Sequence, residues 1–120
     1  MAAGELERLH VGPRLSEVAI FNRVVYLAGQ IAENSAVDAY HQTREVLGHV
    51  ERLLGEARSD KTLILSALVF LRSMDDYAAM NRAWDEWVTP GHTPPRATFQ
   101  AHLARPELKV EIVVTAAQCG

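Results

Sequence analysis

The stretch TLILSALVFLR, Thr62–Arg72, decides the fold of this chain. It is apolar at nearly every position, whereas a strand with one face in water alternates apolar and polar residues. A strand of this kind is covered on both faces. Helices can cover one face, but a chain of 120 residues has little left to cover the other. The stretch therefore predicts a central strand and gives a first indication that copies of the chain assemble.

Helical patterns flank this strand on both sides in the sequence. From Ser35 to Arg58, apolar residues recur at steps of three and four, which predicts a helix lying on a core. Asn34 or Ser35 can cap its start. Gly48 and Gly55 each cost about 1 kcal/mol relative to alanine inside a helix, and close packing on a sheet would explain them.

A second helix is predicted after the strand, within SMDDYAAMNRAWDEWV. Ser73 and Asp76 have the spacing of a capping box, and the sequence TPG ends the helix. Residues three and four apart share one side of a helix, so an apolar stripe at this spacing is expected to be buried. The stripe consists of Tyr77, Met80, Trp84 and Trp87.

Short segments rich in β-branched and aromatic residues supply the remaining strands. SEVAIFN and VVYLAGQ flank Asn22-Arg23, where a hairpin turn would lie, and LERLHV could supply another strand before them. RATFQAHL and LKVEIVVTAA follow the second helix. The order β-β-β-α-β-α-β-β predicts one domain over residues 1–120, an α+β sandwich with the helices on one face of the sheet.

Composition narrows the functional classes. The net charge of −3 and the pI near 5.9 argue against nucleic acid as the main partner, because phosphate binding requires clustered Lys and Arg. No apolar run approaches the roughly 18 residues of a membrane helix, and the charged start MAAGELERLH is unlike a signal peptide. The one cysteine, Cys119, cannot pair within the chain. These features predict a soluble, cytoplasmic protein without a membrane partner.

Several kinds of catalytic site are not indicated. The histidines lack HxxxH and HExxH spacing and have no cysteine partners, which favours surface histidines over metal ligands. No GxSxG motif marks a nucleophile, and LAGQI offers one glycine, too few for a phosphate loop. The histidines are His10, His41, His49, His92 and His102.

Arg96 and Glu111 are the remaining candidates for chemistry. If the last two strands pair as neighbours through Ala104–Glu107, both charges lie along one cleft. Pro94-Pro95 fixes the approach of Arg96, whose planar fork suits a carboxylate. An anion on an apolar strand is costly to bury alone, so Glu111 either reaches solvent or meets a cation or ligand. The alternative to a binding cleft is that Glu111 lies on a solvent-exposed edge of the sheet and Arg96 is an ordinary surface residue.

The ordered set of motifs resembles the RidA/YjgF family, long described as L-PSP endoribonuclease or translation inhibitor. TPPRATFQAHL and KVEIVVTAA are similar to the family's arginine strand and its terminal "vEIe" strand. VVYLAGQI is similar to its "SGQ" strand end, and QTREVLGHVERLLGEA to its first long helix. LVFLRSMDDYAAMNRAWDEWV is similar to its strand and helix with a central asparagine, here Asn81. The resemblance covers nearly the whole chain.

This resemblance implies a fold, an assembly and an activity. The fold is a chorismate-mutase-like mixed sheet with two helices on one face, assembled as a homotrimer with ligand sites in clefts between subunits. The activity is hydrolysis of small enamines and imines such as 2-aminoacrylate to 2-oxo acids and ammonia, without a cofactor or metal. The expected partners are therefore a small carboxylate-bearing enamine or imine, or the 2-oxo acid, and two further copies of the chain.

The resemblance also assigns roles to residues. Arg96 matches the arginine that holds the substrate carboxylate, and Glu111 matches the glutamate thought to position or activate the attacking water. A site-lining asparagine is matched by Asn81. The expected substrate-binding residues are Leu15, Ala28, Gly29, Gln30, Asn81, Arg96 and Thr98.

Three positions depart from the archetypal pattern. Leu15 stands where archetypal members carry a tyrosine, Ala28 replaces the serine of "SGQ", and Thr98 replaces a frequent cysteine. These departures are typical of a divergent RidA-like subgroup. They leave a second interpretation open, a trimer that binds small carboxylates or 2-oxo acids without turnover. A ribonuclease, the third interpretation, is disfavoured by the acidic charge balance.

Overall fold

The computed structural model describes residues 4–120, so the first three residues of the expected domain lie outside it. A mixed sheet carries two helices on one face, as expected, and it has seven strands where the sequence predicts six. The strands are β1 (Leu6–Val11), β2 (Ser16–Phe21), β3 (Val24–Leu27), β4 (Gln30–Ile31), β5 (Ile64–Leu71), β6 (Arg96–Gln100) and β7 (Val110–Ala117). The helices are α1 (Ala39–Glu56) and α2 (Tyr77–Trp87). Within the described part of the chain, neither helix combines the length and the apolar character needed to cross a bilayer.

The order of strands across the sheet is β1-β2-β3-β7-β5-β6, and the short β4 also pairs with β7. β5 and β6 run parallel, and all other neighbours are antiparallel. The last two strands do not pair with each other, because β5 lies between them, so the condition for a shared cleft is not met. Arg72, directly after β5, holds the crossing segment through bonds from its guanidinium to the carbonyls of Leu103, Arg105 and Leu108. The apolar strand thus lies inside the sheet, with both edges hydrogen-bonded.

The core lies between the helices and one face of the sheet. On β5, Val69 and Leu71 are fully buried toward the helices, whereas Leu68 and Phe70 point to the opposite face and are partly exposed. We call this opposite face the open face. It also carries Phe99 of β6, which is 50% exposed and stacks on Phe70. The expectation that residues 4–120 cover only one face of the central strand is confirmed.

The turn between β2 and β3 lies at Asn22-Arg23, as predicted. Both residues have positive φ, 50° and 65°, as a type I′ hairpin turn requires. This conformation is unfavourable for arginine. The Arg23 guanidinium donates to the Cys119 carbonyl at 2.7 Å, and the Arg23 carbonyl accepts the Gln118 N–H. These bonds to the segment after β7 compensate for the strain.

α1 begins later than the sequence predicts. Asp38, and not Asn34 or Ser35, is its capping residue, and its carboxylate accepts the His41 backbone N–H at 2.9 Å. Asn34 instead accepts the backbone N–H of Ala36 within the preceding loop. Because Asp, Asn and Ser all cap helices well, the residue types alone did not distinguish these positions.

The two glycines of α1 do not reflect close packing on the sheet, as the sequence had suggested. Gly48 and Gly55 are both exposed. No atom lies within 4 Å of the position that a Cβ would take at either residue. An alanine would therefore fit at both positions.

The buried stripe of α2 is confirmed in part. Met80 and Trp84 are buried, and Trp87 packs against the core while partly exposed. Tyr77 is 41% exposed, so its assignment to the core is wrong. Its ring turns toward the first residue of β6, where it belongs to the candidate site. Ser73 caps the short 3-10 turn before α2 by accepting the Asp75 N–H.

Candidate functional site

Glu111 lies near the start of β7, with its partly buried side chain on the open face. Its backbone is paired with Phe70 of β5 and with Ile31 of β4. The carboxylate lies against Gly29, where a Cβ would be 2.0 Å from Oε2. The φ of Gly29 is not positive. The close approach, and not the backbone conformation, therefore requires glycine at this position.

The turn before β4 forms one wall of a cavity of about 320 Å³. Leu15, Gly29 and Gln30 line this cavity together with Glu17, which the sequence did not single out. The amide nitrogen of the buried Gln30 donates to Glu17 Oε2 at 2.9 Å and to the Ala28 carbonyl at 3.0 Å. These bonds hold the turn in place beside Glu111. Glu111 contacts Gly29 and does not itself line the cavity. We call Leu15, Ala28, Gly29, Gln30 and Glu111 the glutamate group.

Arg96 opens β6, an edge strand of the sheet, and its side chain points to the helix side. Its backbone is paired with that of the buried Ala67, and its guanidinium lies against α2. The Cζ atom is 5.0 Å from the centroid of the Trp84 ring and 5.9 Å from that of Tyr77. Among residues 4–120, no carboxylate forms an ion pair with this guanidinium.

Thr98 and Asn81 lie on the same side of the sheet as Arg96. Thr98 follows Arg96 by two residues on β6, so the two side chains share a face. Its Oγ1 is buried and has no hydrogen-bond partner in the described chain, a costly state for a hydroxyl. Asn81 lies on α2 four residues after Tyr77 and three before Trp84, hence on the helix side that contacts Arg96. We call Asn81, Arg96 and Thr98 the arginine group.

The two groups do not meet within one chain. Glu111 is on the open face and Arg96 on the helix face, and β5 separates their strands. Phe99 lies three residues after Arg96 on β6, so its side chain points to the opposite face of the sheet. On that open face it stacks on Phe70, with the ring centroids 5.9 Å apart. The prediction that both charges lie along one cleft is wrong for a single chain. Within one chain, each group therefore holds only part of the expected set of substrate-binding and catalytic residues.

A third cluster of titratable residues lies beside the cavity. Glu33, Glu45 and His49 offer ligand atoms within 4.8 Å of one another. Glu45 already accepts the backbone N–H groups of Glu33 and Asn34, at 2.6 and 3.1 Å, and contacts His49 Nε2 at 2.9 Å. Partial burial raises the pKa of Glu45, but these hydrogen bonds outweigh it and hold that pKa below its ordinary value. Glu45 thus fastens the loop before α1, and His49 is half-buried rather than a surface histidine.

Comparison with known proteins gives matches over almost the whole chain. Residues 6–118, which include every strand and both helices, match the family model described as Endoribonuclease L-PSP. The chain is 51% identical over 112 residues to a RutC family protein of Haemophilus ducreyi, with 93% of this chain and 96% of the relative covered. It is 32% identical over 101 residues to the 3-aminoacrylate deaminase RutC of Acinetobacter baylyi, with 79% of each covered.

A solved structure has the same fold. The crystal structure of a member of the YjgF protein family from Neisseria meningitidis matches with a TM-score of 0.94 at 43% identity. The match covers 97% of each chain. At this identity and coverage, the two chains share the sheet and both helices.

Proposed function

Because the chain belongs to the RidA/YjgF family, whose model is described as endoribonuclease L-PSP, we propose that it hydrolyses small enamines and imines. The substrates are of the 2-aminoacrylate type, the products are a 2-oxo acid and ammonia, and no cofactor takes part. One observation carries this proposal. Arg96 is a cation without a carboxylate partner in residues 4–120, and Glu111 is a carboxylate seated against a glycine.

Arg96 binds the substrate carboxylate. A guanidinium pairs with a carboxylate through two parallel N–H bonds, which fixes both the position and the plane of the substrate. Thr98 lies on the same face, and its buried hydroxyl gains a hydrogen-bond partner when substrate is present. Asn81 lines the same region from α2. The arginine group thus orients the substrate.

Glu111 accepts a hydrogen bond from the attacking water and directs it to the imine carbon. An enamine substrate first becomes the imine when a proton moves from its nitrogen to its β-carbon. Water then adds to the imine carbon and gives one proton to the nitrogen, which forms a carbinolamine. The hydroxyl proton of the carbinolamine passes to the nitrogen as the C–N bond breaks, which releases ammonia and leaves the carbonyl. Because an imine carbon is already electrophilic, positioning of the two reactants and of one base supplies the catalysis. The hydrogen-bonded turn at Ala28–Gln30 keeps Glu111 in a fixed position relative to the attacking water.

The site lies in a cleft between subunits of a homotrimer. The two groups lie on opposite faces within one chain, so a site that uses both takes Arg96 from one copy and Glu111 from another. The open face supports this arrangement, because Leu68, Phe70 and Phe99 leave apolar surface there that an assembly would bury. Sedimentation is expected to give a trimer at micromolar concentration. A stable monomer would remove both the assembly and the shared site.

The relatives support the reaction class. The Acinetobacter relative is described as a 3-aminoacrylate deaminase, which acts on an enamine that carries a carboxylate. At 32% identity this relative supports the class of reaction and not a particular substrate. The net charge of −3 gives no support to the ribonuclease activity in the family description.

A trimer that binds small carboxylates or 2-oxo acids without turnover is the second candidate. Leu15 and Ala28 favour it, since neither side chain can form a hydrogen bond where archetypal members carry tyrosine and serine. Leu15 is 55% exposed at the cavity. Under this alternative, pyruvate raises the thermal unfolding temperature by mass action, and no product forms from an enamine.

A coupled assay tests the proposal. A PLP-dependent dehydratase generates 2-aminoacrylate in solution, and pyruvate formation is followed with and without this protein. The wild type is expected to accelerate it, and Arg96→Ala to lower kcat/KM by about 100-fold or more. Arg105→Ala is the matched control, because Arg105 is a surface cation paired with Glu107. Equal acceleration by Arg96→Ala and wild type would exclude the carboxylate clamp.

A further inference from the structure

The guanidinium of Arg96 rests on three side chains of α2. Its Cζ lies 5.0 Å from the centroid of the Trp84 ring and 5.9 Å from that of Tyr77. Nη2 is 3.5 Å from the Tyr77 hydroxyl, and Nη1 is 3.7 Å from Met80 Sδ. We call Tyr77, Met80 and Trp84 the aromatic seat of Arg96.

This seat holds a cation without neutralising it. An aromatic face attracts a guanidinium through the ring quadrupole, so the full positive charge remains available to an incoming anion. A carboxylate partner would have to be displaced by the substrate, which would cost affinity. Arg52, Arg58 and Arg105 show the contrast, since each is paired with a glutamate at 2.9 to 3.2 Å.

The seat is part of a packed helix. Trp84 is 6% exposed and Met80 is fully buried, and both belong to the hydrophobic core. Tyr77, Met80 and Trp84 follow at steps of three and four, so they present one continuous surface to β6. Side chains on a packed helix hold a binding group more precisely than side chains on a loop. The core thus fixes the plane of the guanidinium.

We propose that Trp84 and Tyr77 are positioning residues that hold the Arg96 guanidinium in the plane in which a substrate carboxylate binds. This rests on the proposed function only in taking Arg96 as the cation that binds a carboxylate. It has a spectroscopic consequence. An anion paired with Arg96 changes the electric field at the Trp84 ring and therefore changes its fluorescence.

The two tryptophans of the chain form a matched pair for the test. Pyruvate is the probe. In the Trp87→Phe variant, which keeps Trp84, titration with pyruvate is expected to change the tryptophan emission until binding saturates. The double variant Trp87→Phe/Arg96→Ala is expected to show no change. In Trp84→Phe, which keeps Trp87, the emission is expected to stay constant. Trp87 is a suitable control because its ring faces a different cation, Lys61, at 5.3 Å.

Calorimetry then measures the affinity for pyruvate. Trp84→Phe is expected to weaken binding by about threefold to tenfold, the range of one weakened cation–π contact. Tyr77→Phe is expected to weaken it by a similar factor because it removes the hydroxyl that lies 3.5 Å from Nη2 of Arg96. In the coupled assay both are expected to raise KM more than they lower kcat. Tyr77→Phe keeps the proposal testable if Trp84→Phe fails to fold, because Tyr77 is exposed and its ring is retained.

The outcomes separate this inference from the proposed function. If Arg96→Ala loses binding while Trp84→Phe and Tyr77→Phe keep full affinity, only the positioning role is overturned. If pyruvate does not bind at millimolar concentration, or binds Arg96→Ala as well as wild type, the positioning role is overturned, and the hydrolase is decided by the coupled assay alone. If binding depends on Arg96 and on its aromatic seat but no enamine is hydrolysed, the positioning role stands and the hydrolase is excluded.

Discussion

Replacing Gly29 by alanine tests whether Glu111 acts from the place where the structure holds it. An alanine Cβ would lie 2.0 Å from Glu111 Oε2 and 2.9 Å from its Cδ. To reach the 3.4 Å of ordinary van der Waals contact, the carboxylate oxygen must move by about 1.4 Å. A misplacement of about 1 Å can cost a catalytic step about 100-fold in rate. We therefore expect Gly29→Ala to lower kcat by about two orders of magnitude.

The same substitution is expected to leave stability nearly unchanged. The clash falls on the end of a flexible side chain, and the φ of Gly29 is one that alanine adopts. A glycine-to-alanine change at a compatible position stabilises by about 0.4–1 kcal/mol through the unfolded state, which offsets the cost of moving a carboxylate. Loss of activity at constant stability is therefore the expected signature.

The assay is pyruvate formation from 2-aminoacrylate, run beside thermal unfolding. Gly48→Ala is the matched control for activity, because no atom lies within 4 Å of its Cβ position. Full activity in Gly29→Ala would refute the reasoning, since Glu111 would then not act from its present position. An unfolding temperature lowered by several degrees would show that the backbone, and not the carboxylate, yields to the methyl group.

Three further predictions concern the scaffold. Gly48→Ala is expected to raise the free energy of unfolding by about 1 kcal/mol in urea titrations, since an exposed helix position gains helix propensity. Gln42→Glu is expected to lower it by about 3 kcal/mol or more, because a buried carboxylate would face carbonyls that now accept the Gln42 amide. Bonds from the His41 backbone and ring hold the pKa of Asp38 below its usual 3.8. Its ionised form therefore stabilises the fold fully above pH 3.8, and acidification below that value should lower stability more in wild type than in Asp38→Asn.

Local patterns in the sequence were sufficient for most of the elements. The Asn22-Arg23 turn was predicted because its chemistry is local, and β5 was predicted because its apolar run is continuous. The start of α1 was misplaced because Asn34, Ser35 and Asp38 all belong to capping types. Only tertiary contacts select among them.

The sheet order could not be predicted from neighbours in sequence. A nine-residue connection between β6 and β7 favours direct pairing, but β5 lies between them and Arg72 holds the connection across the end of β5. This one error reversed the face assigned to Arg96 relative to Glu111. The aromatic seat could not be predicted for a related reason. Tyr77 and Trp84 have the same helical spacing whether their rings are buried in the core or lie against a cation.

The position of β7 has a consequence for the order of folding. This strand comes late in the sequence, yet it pairs with β3, β4 and β5 and so joins the early meander to the later strands. Until β7 has been synthesised, the β1–β3 meander and the β5–β6 pair have no shared partner. A nascent chain that stalls before Val110 therefore exposes two unpaired sheet edges, each a template for aggregation. Chaperone binding to stalled ribosomes is expected to end once β7 emerges from the exit tunnel.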